Sequence, residues 1–169
     1  LTFPDHFIAE WELQNLNPEA GLVIIFFAAK GANGKDLFDP SLNKRDGTFS
    51  HYTKGDIDSY HISYYAHSPS KPDRENTHLR RNSGFNLVSH GPIGIPATSN
   101  AIHRIKLVKN GATIQFYVDD RMIINWTDDG VSMGPYLKEG KIGFRQMKWT
   151  HFRYRNFRVY KPSSANRLY

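Results

Sequence analysis

The sequence predicts an all-β fold, an antiparallel β-sandwich of two sheets, and three observations carry that prediction. Asn110-Gly111 stands between two runs that alternate apolar and polar residues, the strongest short-range hairpin signal a sequence offers. Strand-like runs recur at short intervals along the chain, punctuated by Gly, Pro, Asn and Asp. Nothing longer than a turn spaces apolar residues by three and four, so helix is all but absent.

The elements follow in order. Phe7, Ala9, Trp11 and Leu13 alternate with Ile8, Glu10 and Glu12, a strand with one buried face. Leu22 to Ala29 is apolar at both parities, as in a central strand covered on both faces. In Asp58 to Tyr65, Tyr60, Ile62 and Tyr64 share one face, and Ser59, His61, Ser63 and Tyr65 the other. Around Arg80, the residues His78, Arg80 and Asn82 lie opposite Leu79. Arg104 to Trp126 reads as a three-stranded meander. Ile105 and Leu107 lead to Asn110-Gly111, Ile114, Phe116 and Val118 return, and Asp119-Asp120 turns into Met122, Ile124 and Trp126. Two strands close the domain, Lys141 to Met147 and Phe152 to Tyr160. In the last, the apolar set changes parity between Phe152/Tyr154 and Phe157/Val159, which places a bulge near Asn156. Two long loops, Lys30 to Asp56 and Ala66 to Thr77, interrupt the strands, and long ordered loops are disproportionately functional. Residues 1–161 are expected to form one domain without internal repeats, followed by a flexible tail, Pro162 to Tyr169.

Composition narrows the functional classes. With 39% hydrophobic and 14% aromatic residues in 169, the chain is too apolar for a disordered polymer. No apolar run approaches the roughly 20 residues of a membrane helix, and LTFPDHF lacks the regions of a signal peptide. The absence of cysteine removes disulfides, thiolate metal sites and a thiol nucleophile. The 8 histidines show no HxH or HExxH spacing, so no catalytic metal is expected. Asp128-Asp129-Gly130 offers oxygen ligands for a structural calcium ion, although two adjacent aspartates are more often turn formers. No other cofactor is called for. The net charge of +6 favours an anionic partner. No nucleic-acid motif is present, so an acidic polysaccharide is preferred over nucleic acid or membrane.

The strings FFAAKGANGKDLFDPSL, GDIDSYHISYY, LRRNSGFNLV, WTDDG and GKIGFRQM resemble the YesU-like family of bacterial domains. The meander followed by GKIGFRQM and FRYRNFRV also resembles the closing strands of concanavalin-A-like lectin and glucanase domains. The resemblance runs from about Phe3 to Val159 and implies a concanavalin-A-like jelly roll whose ligand sits on one outer, concave sheet face. It also implies another strand or two before Leu1, and a soluble protein of the bacterial cytoplasm or periplasm. The function it implies belongs to the degradation of uronic-acid-rich polysaccharides, with dehydratases of ulvan oligosaccharides among the relatives.

Within that frame, parity gathers a candidate site. If Ile62 points between the sheets, His61 and Tyr65 project outward, and Arg145 lies outward with Gly143 and Met147 while Ile142 and Phe144 point in. Such a surface suits β-elimination from a uronate. Arginine and asparagine neutralise the carboxylate as enolate charge develops. His61 takes the C5 proton and Tyr65 donates to the departing C4 oxygen, or the two exchange roles. The expected catalytic set is His61, Tyr65 and Arg145. The expected substrate contacts are Lys30, Lys35, His51, Tyr52, Arg80 and Asn82. The lysines come from KGANGKD, which lacks the spacing of a phosphate loop.

The leading expectation is therefore an enzyme eliminating water or an alkoxide from uronic-acid-containing oligosaccharides. One alternative is a non-catalytic carbohydrate-binding domain on the same face, with Tyr52, Tyr65 and Trp149 stacking on sugars. Another is a glycoside hydrolase using Glu10 and Glu12, whose backbones lie about 6.5–7 Å apart on one strand, inside the separation of about 5–9.5 Å that glycosidase carboxyl pairs show. A histidine in an aromatic strand is also commonly a hydrogen-bonded structural residue. From Lys141 onward there are 8 Lys and Arg and no Asp or Glu. Most of these are expected to face water, Arg145 excepted.

Overall fold

Alternation sorts the side chains of each strand onto two faces, and the apolar faces meet between two sheets. The computed structural model describes residues 1–17, 19, 21–65, 76–96 and 99–162. Its strands are β1 (His6–Asn15), β2 (Val23–Gly31), β3 (Ile57–Tyr65), β4 (Asn76–Asn82), β5 (Asn86–Ile93), β6 (Ile102–Asn110), β7 (Thr113–Val118), β8 (Arg121–Thr127), β9 (Lys141–Gln146) and β10 (Phe152–Tyr160). They form two five-stranded sheets, ordered β10-β1-β6-β7-β8 and β5-β4-β3-β2-β9, with every strand pair antiparallel. This is the antiparallel two-sheet sandwich that the pattern predicts, and its all-antiparallel pairing agrees with the jelly roll that the resemblance implies. Helix among the described residues is confined to one turn, α1 (Ser50–Thr53), and a 3-10 turn at Ala32–Gly34. No helix there is long and apolar enough to cross a membrane. The Ala66 to Thr77 loop lies outside the described residues except for its last two positions, and the tail beyond Pro162 lies outside them entirely.

The core is the set the alternation picks out. Phe7, Ala9, Trp11 and Leu13 of β1, Ile105 and Leu107 of β6, and Ile114 and Phe116 of β7 face Ile25 and Phe27 of β2, Tyr60, Ile62 and Tyr64 of β3, and Leu79 of β4. Burying each of the larger side chains contributes about 1.5–3 kcal/mol. Trp11 crosses between the layers, its indole N–H donating to the Tyr64 hydroxyl at 3.2 Å.

Three local predictions can be compared with the backbone. The first hairpin turns at Gly111-Ala112, since Asn110 still pairs with Thr113, and Gly111 supplies the positive φ of +60°. The second turns at Asp119-Asp120, both with positive φ (49° and 65°) as a type I′ turn requires. The parity change in β10 is a bulge. Glu10 pairs with Arg158 and Glu12 with Arg155, so Asn156 and Phe157 together oppose Trp11.

The two lateral sides of the sandwich differ. At β5 and β8 the sheets close on each other. A Cβ on Gly91 would come within 2.2 Å of the Ile123 carbonyl oxygen, so only glycine permits the approach. At β9 and β10 the layers stay open, and Phe144 and Phe157 are 37% and 43% exposed.

Candidate functional site

The outer face of the β5-β4-β3-β2-β9 sheet carries most of the expected residues. His61 pairs with Arg80 on β4 and with Phe26 on β2. Ile24 of β2 pairs with Arg145 on β9. Ile24 and Phe26 are the second, outward parity of the apolar β2 run. The Lys30 to Asp56 excursion covers them. Phe26 lies 6.4 Å from the ring of Tyr52, and Arg145 donates to the Gly47 carbonyl at 2.8 Å.

Aromatic rings organise this face. The Arg145 guanidinium lies 5.0 Å from the Phe49 ring centre and 5.4 Å from that of Tyr52. The Arg80 guanidinium sits 3.9 Å over Phe85 and donates to its carbonyl. The His61 ring is packed between Phe26 at 5.0 Å, Phe85 at 5.7 Å and Phe49 at 6.2 Å. Burial pulls the Arg145 pKa down from the ordinary arginine value, with Tyr52 opposing. An arginine starts so high that it keeps its charge.

His61 is 2% exposed, and the Asn82 amide reaches its Nδ1 at 2.9 Å and the Ser59 hydroxyl at 2.9 Å. With Asn82 donating, that imidazole nitrogen is occupied as an acceptor. Phe49 lies against both His61 and Arg145, so the two belong to one surface and are joined through its ring.

Tyr65 departs from the expected grouping. The β2–β3 register slips between Val23 and Ile24, where Val23 pairs with Tyr65 and Ile24 with Ser63. The slip turns Tyr65 inward. Its ring joins the core against Phe152 at 5.3 Å, and its hydroxyl accepts from Asn15 and donates to the Ser99 carbonyl. The expected His61–Tyr65 pair therefore does not share a face.

The other expected contacts divide. Tyr52 joins the aromatic group, and its neighbour His51 lies 3.3 Å from Asp46 within the same excursion. Lys30 and Lys35 line a different hollow of about 210 Å³ with Asp36, Glu139 and Lys141. There Lys30 pairs with Glu139 at 2.7 Å and Lys35 donates to Ser41. Glu10 and Glu12 border a groove of about 290 Å³ on the opposite sheet, beside Arg104, Lys106, Tyr117 and Arg158. Burial, and then the hydrogen bond to Glu10, raise the Tyr160 phenol to about 12. Glu12 lies 3.5 Å from Arg155. These are the cross-strand pairs of a solvated face. Asp128 accepts from Tyr60, Arg81 and the Gly130 amide, and Asp129 from Val131 and Ser132. The bonds from Gly130, Val131 and Ser132 are those of a turn-forming pair, while Tyr60 and Arg81 hold Asp128 from β3 and β4.

Phe26, Phe49 and Phe85 are the functional candidates that sequence reasoning misses. The traces they leave are the double parity of β2 and single phenylalanines in polar loop strings, GTFSHY and SGFN.

A family profile described as "Domain of unknown function (DUF1961)" matches residues 1–159. The chain belongs to the DUF1961 family. This DUF1961 chain is 40% identical over 163 residues to the uncharacterized protein YesU of Bacillus subtilis (strain 168), covering 95% of the chain and 74% of YesU. A solved Bacillus subtilis protein of unknown function with a galectin-like fold matches it with a TM-score of 0.89 at 39% identity, over 95% of this chain and 74% of that one. The Bacillus subtilis carbohydrate binding module CBM66 shares the DUF1961 fold with a TM-score of 0.59 at 12% identity, over 94% and 76% of the two chains. That last likeness is one of fold alone.

Proposed function

We propose that this DUF1961 chain is a carbohydrate-binding domain that holds an acidic sugar on the outer face of the β5-β4-β3-β2-β9 sheet. The observation that carries the reading is Arg145 stacked on Phe49 and Tyr52, on the face where Arg80 stacks on Phe85. Aromatic rings offer flat apolar surface to a pyranose, and two oriented guanidinium groups offer forked donors to a carboxylate. The fold that the chain shares with a carbohydrate binding module supports the same class of ligand.

Binding is preferred to elimination on geometric grounds. The acid–base pair that elimination needs is split, with Tyr65 in the core and His61 packed among phenylalanines. The elimination reading keeps Arg145 and Arg80 in the same carboxylate-binding role and adds His61 as base.

One experiment separates the readings. Titration with uronate-ended oligosaccharides, including those of ulvan, should give saturable heat in calorimetry and no rise in conjugated enol-ether absorbance. Neutral oligosaccharides of equal length should bind more weakly. Growth of that absorbance, abolished by His61→Ala, would establish the lyase or dehydratase instead. Absence of binding to acidic and neutral sugars alike would remove both.

A further inference from the structure

We infer that Ser99, His103 and Asp119 form a hydrolytic site for esters of short carboxylic acids, with a serine nucleophile, its base and the carboxylate that orients the base. The three meet at one end of the β10-β1-β6-β7-β8 sheet, which is not the sheet of the proposed ligand face. Ser99 precedes β6, His103 is the second residue of β6, and Asp119 opens the turn between β7 and β8. The Ser99 hydroxyl lies 2.7 Å from Nε2 of His103, and Nδ1 of His103 lies 2.6 Å from Oδ2 of Asp119. Both distances fall in the range of about 2.6–3.2 Å that an activated nucleophile and its base require. Such sets are recognised by geometry and roles, whatever their order along the chain.

The direction of each bond follows from the groups. An ionised carboxylate only accepts, so Nδ1 carries the ring proton, and in the neutral imidazole Nε2 is then bare. The Ser99 hydroxyl therefore donates to Nε2, the atom that must take its proton during attack. Burial raises the Asp119 carboxyl, but the hydrogen bonds from His103 and the Arg104 amide outweigh it and hold the group below its ordinary value.

Each member is held in place by the fold. Oδ1 of Asp119 accepts from the Arg104 amide at 2.8 Å, and the Asp119 amide donates to the Arg104 carbonyl at 2.8 Å. His103 continues the inward parity of Ile105 and Leu107, and its side chain is 12% exposed. The Ser99 amide donates to the Pro96 carbonyl at 3.0 Å, and the Ser99 carbonyl accepts from Tyr65 at 2.9 Å. Gln14 donates to the Asn100 carbonyl at 3.1 Å. The serine is thus tied to β1 and β3 before any substrate arrives, the preorganisation that catalysis rewards.

The chemistry balances with water as the co-reactant. Ser99 Oγ adds to the ester carbonyl carbon as His103 takes the hydroxyl proton. The residue after a serine nucleophile commonly gives its N–H to the oxyanion, a place that the exposed Asn100 fills here. The adduct expels the alcohol, which leaves with the proton from His103, and acyl-Ser99 remains. Water adds with His103 again as base, and collapse releases the carboxylic acid and returns the proton to Oγ. Of the exposed neighbours, Asn100, Arg104 and Asp120 are polar and Ile102 is apolar, a surface for a short acyl group and not for a fatty chain.

The test uses the chain as it stands, a fluorophosphonate and p-nitrophenyl acetate. The fluorophosphonate should lose fluoride and leave one phosphonyl adduct, which peptide mass mapping should place on Ser99. p-Nitrophenyl acetate should be turned over with saturation. Ser99→Ala, which removes a single oxygen, should abolish the adduct and lower turnover by roughly a thousandfold. His103→Gln and Asp119→Asn should each lower it by roughly a hundredfold or more. Asparagine tolerates the φ of 49° at that turn, so the second variant keeps its backbone. Thermal unfolding of all three, run in parallel, separates lost chemistry from lost structure. No adduct on Ser99, no hydrolysis above the buffer rate, or hydrolysis that Ser99→Ala leaves unchanged would each overturn the inference. None of these readouts depends on whether the other sheet binds sugar.

Discussion

The guanidinium of Arg81 and the carboxylate of Asp128 form a buried ion pair, Nη1 to Oδ2 at 2.9 Å, with side-chain exposures of 8% and 0%. The Tyr60 hydroxyl donates to the same carboxylate oxygen at 2.6 Å, and Nη1 and Nη2 of Arg81 also donate to the Gly134 and Pro135 carbonyls. β3, β4 and the loop after β8 are thus tied at one point. Burial first, and then the Asp128 hydrogen bond, push the Tyr60 phenol well above its ordinary value. Asp128→Ala strands a buried guanidinium and is expected to cost about 3–5 kcal/mol. Tyr60→Phe removes a hydroxyl and should cost about 1–2 kcal/mol, since its buried partners lose a donor. Urea unfolding of both variants measures this, and a loss under about 1 kcal/mol for Asp128→Ala would contradict the network.

Tyr65 gives the sharpest division between a structural and a catalytic role. Its hydroxyl bonds to Asn15 and to the Ser99 carbonyl, so Tyr65→Phe should lose about 1–2 kcal/mol of stability. Affinity for acidic oligosaccharides should stay within roughly twofold, because the ring faces the core, away from the proposed ligand face. Calorimetry and urea unfolding on the same variant decide it. Unchanged stability with lost turnover on uronates would restore the tyrosine as an acid catalyst.

The contrast between two bulges explains what the sequence could reveal. The bulge at Asn156 is legible because Phe152, Tyr154, Phe157 and Val159 record the parity change in their own hydrophobicity. The slip beside Tyr65 is silent. Tyr64 and Tyr65 are the same residue type, so a flip between them leaves no trace in the apolar pattern, and strict alternation from Ile62 carries Tyr65 to the wrong face. The core strands and the meander were legible for the same reason that Asn156 was. The aromatic floor of the site was only half so. Phe26 sits in a double-parity run, whereas Phe49 and Phe85 belong to loops whose path back onto the sheet is set by tertiary contacts with Arg145 and Arg80.

Arg145 ties the outer face of the β5-β4-β3-β2-β9 sheet to the Lys30 to Asp56 excursion. It donates to Gly47 and lies over Phe49 and Tyr52. Arg145→Ala should weaken uronate binding roughly tenfold or more, through loss of a charge-assisted contact. It should also raise amide exchange over α1. Arg145→Lys keeps the charge but not the planar fork, and should recover only part of the affinity. Binding calorimetry with hydrogen exchange reads both effects. Full recovery by lysine would mean that charge alone, without stacking, serves the ligand.

The pair Lys109–Asp5 should shape the acid limb of stability. Lys109 has no exposed surface, and its ammonium bonds to the Asp5 carboxylate and to the Asp5 and Gly111 carbonyls. Burial alone would raise the Asp5 pKa, but the hydrogen bond and charge of Lys109 outweigh it and hold the carboxyl below its ordinary value. A carboxyl depressed in the folded state contributes stability that is present above its unfolded pKa, near 3.9. That stability is lost as pH falls through the lower, folded value. Asp5→Asn leaves the buried ammonium without its counter-charge and should cost about 3 kcal/mol at pH 7. As pH falls below the unfolded value toward the lower folded one, the wild-type protein loses this contribution, so the difference between the proteins should shrink. Urea unfolding of both proteins between pH 7 and pH 3 would show this convergence. A constant gap across that range would mean that the carboxylate charge is not what holds Lys109 in place.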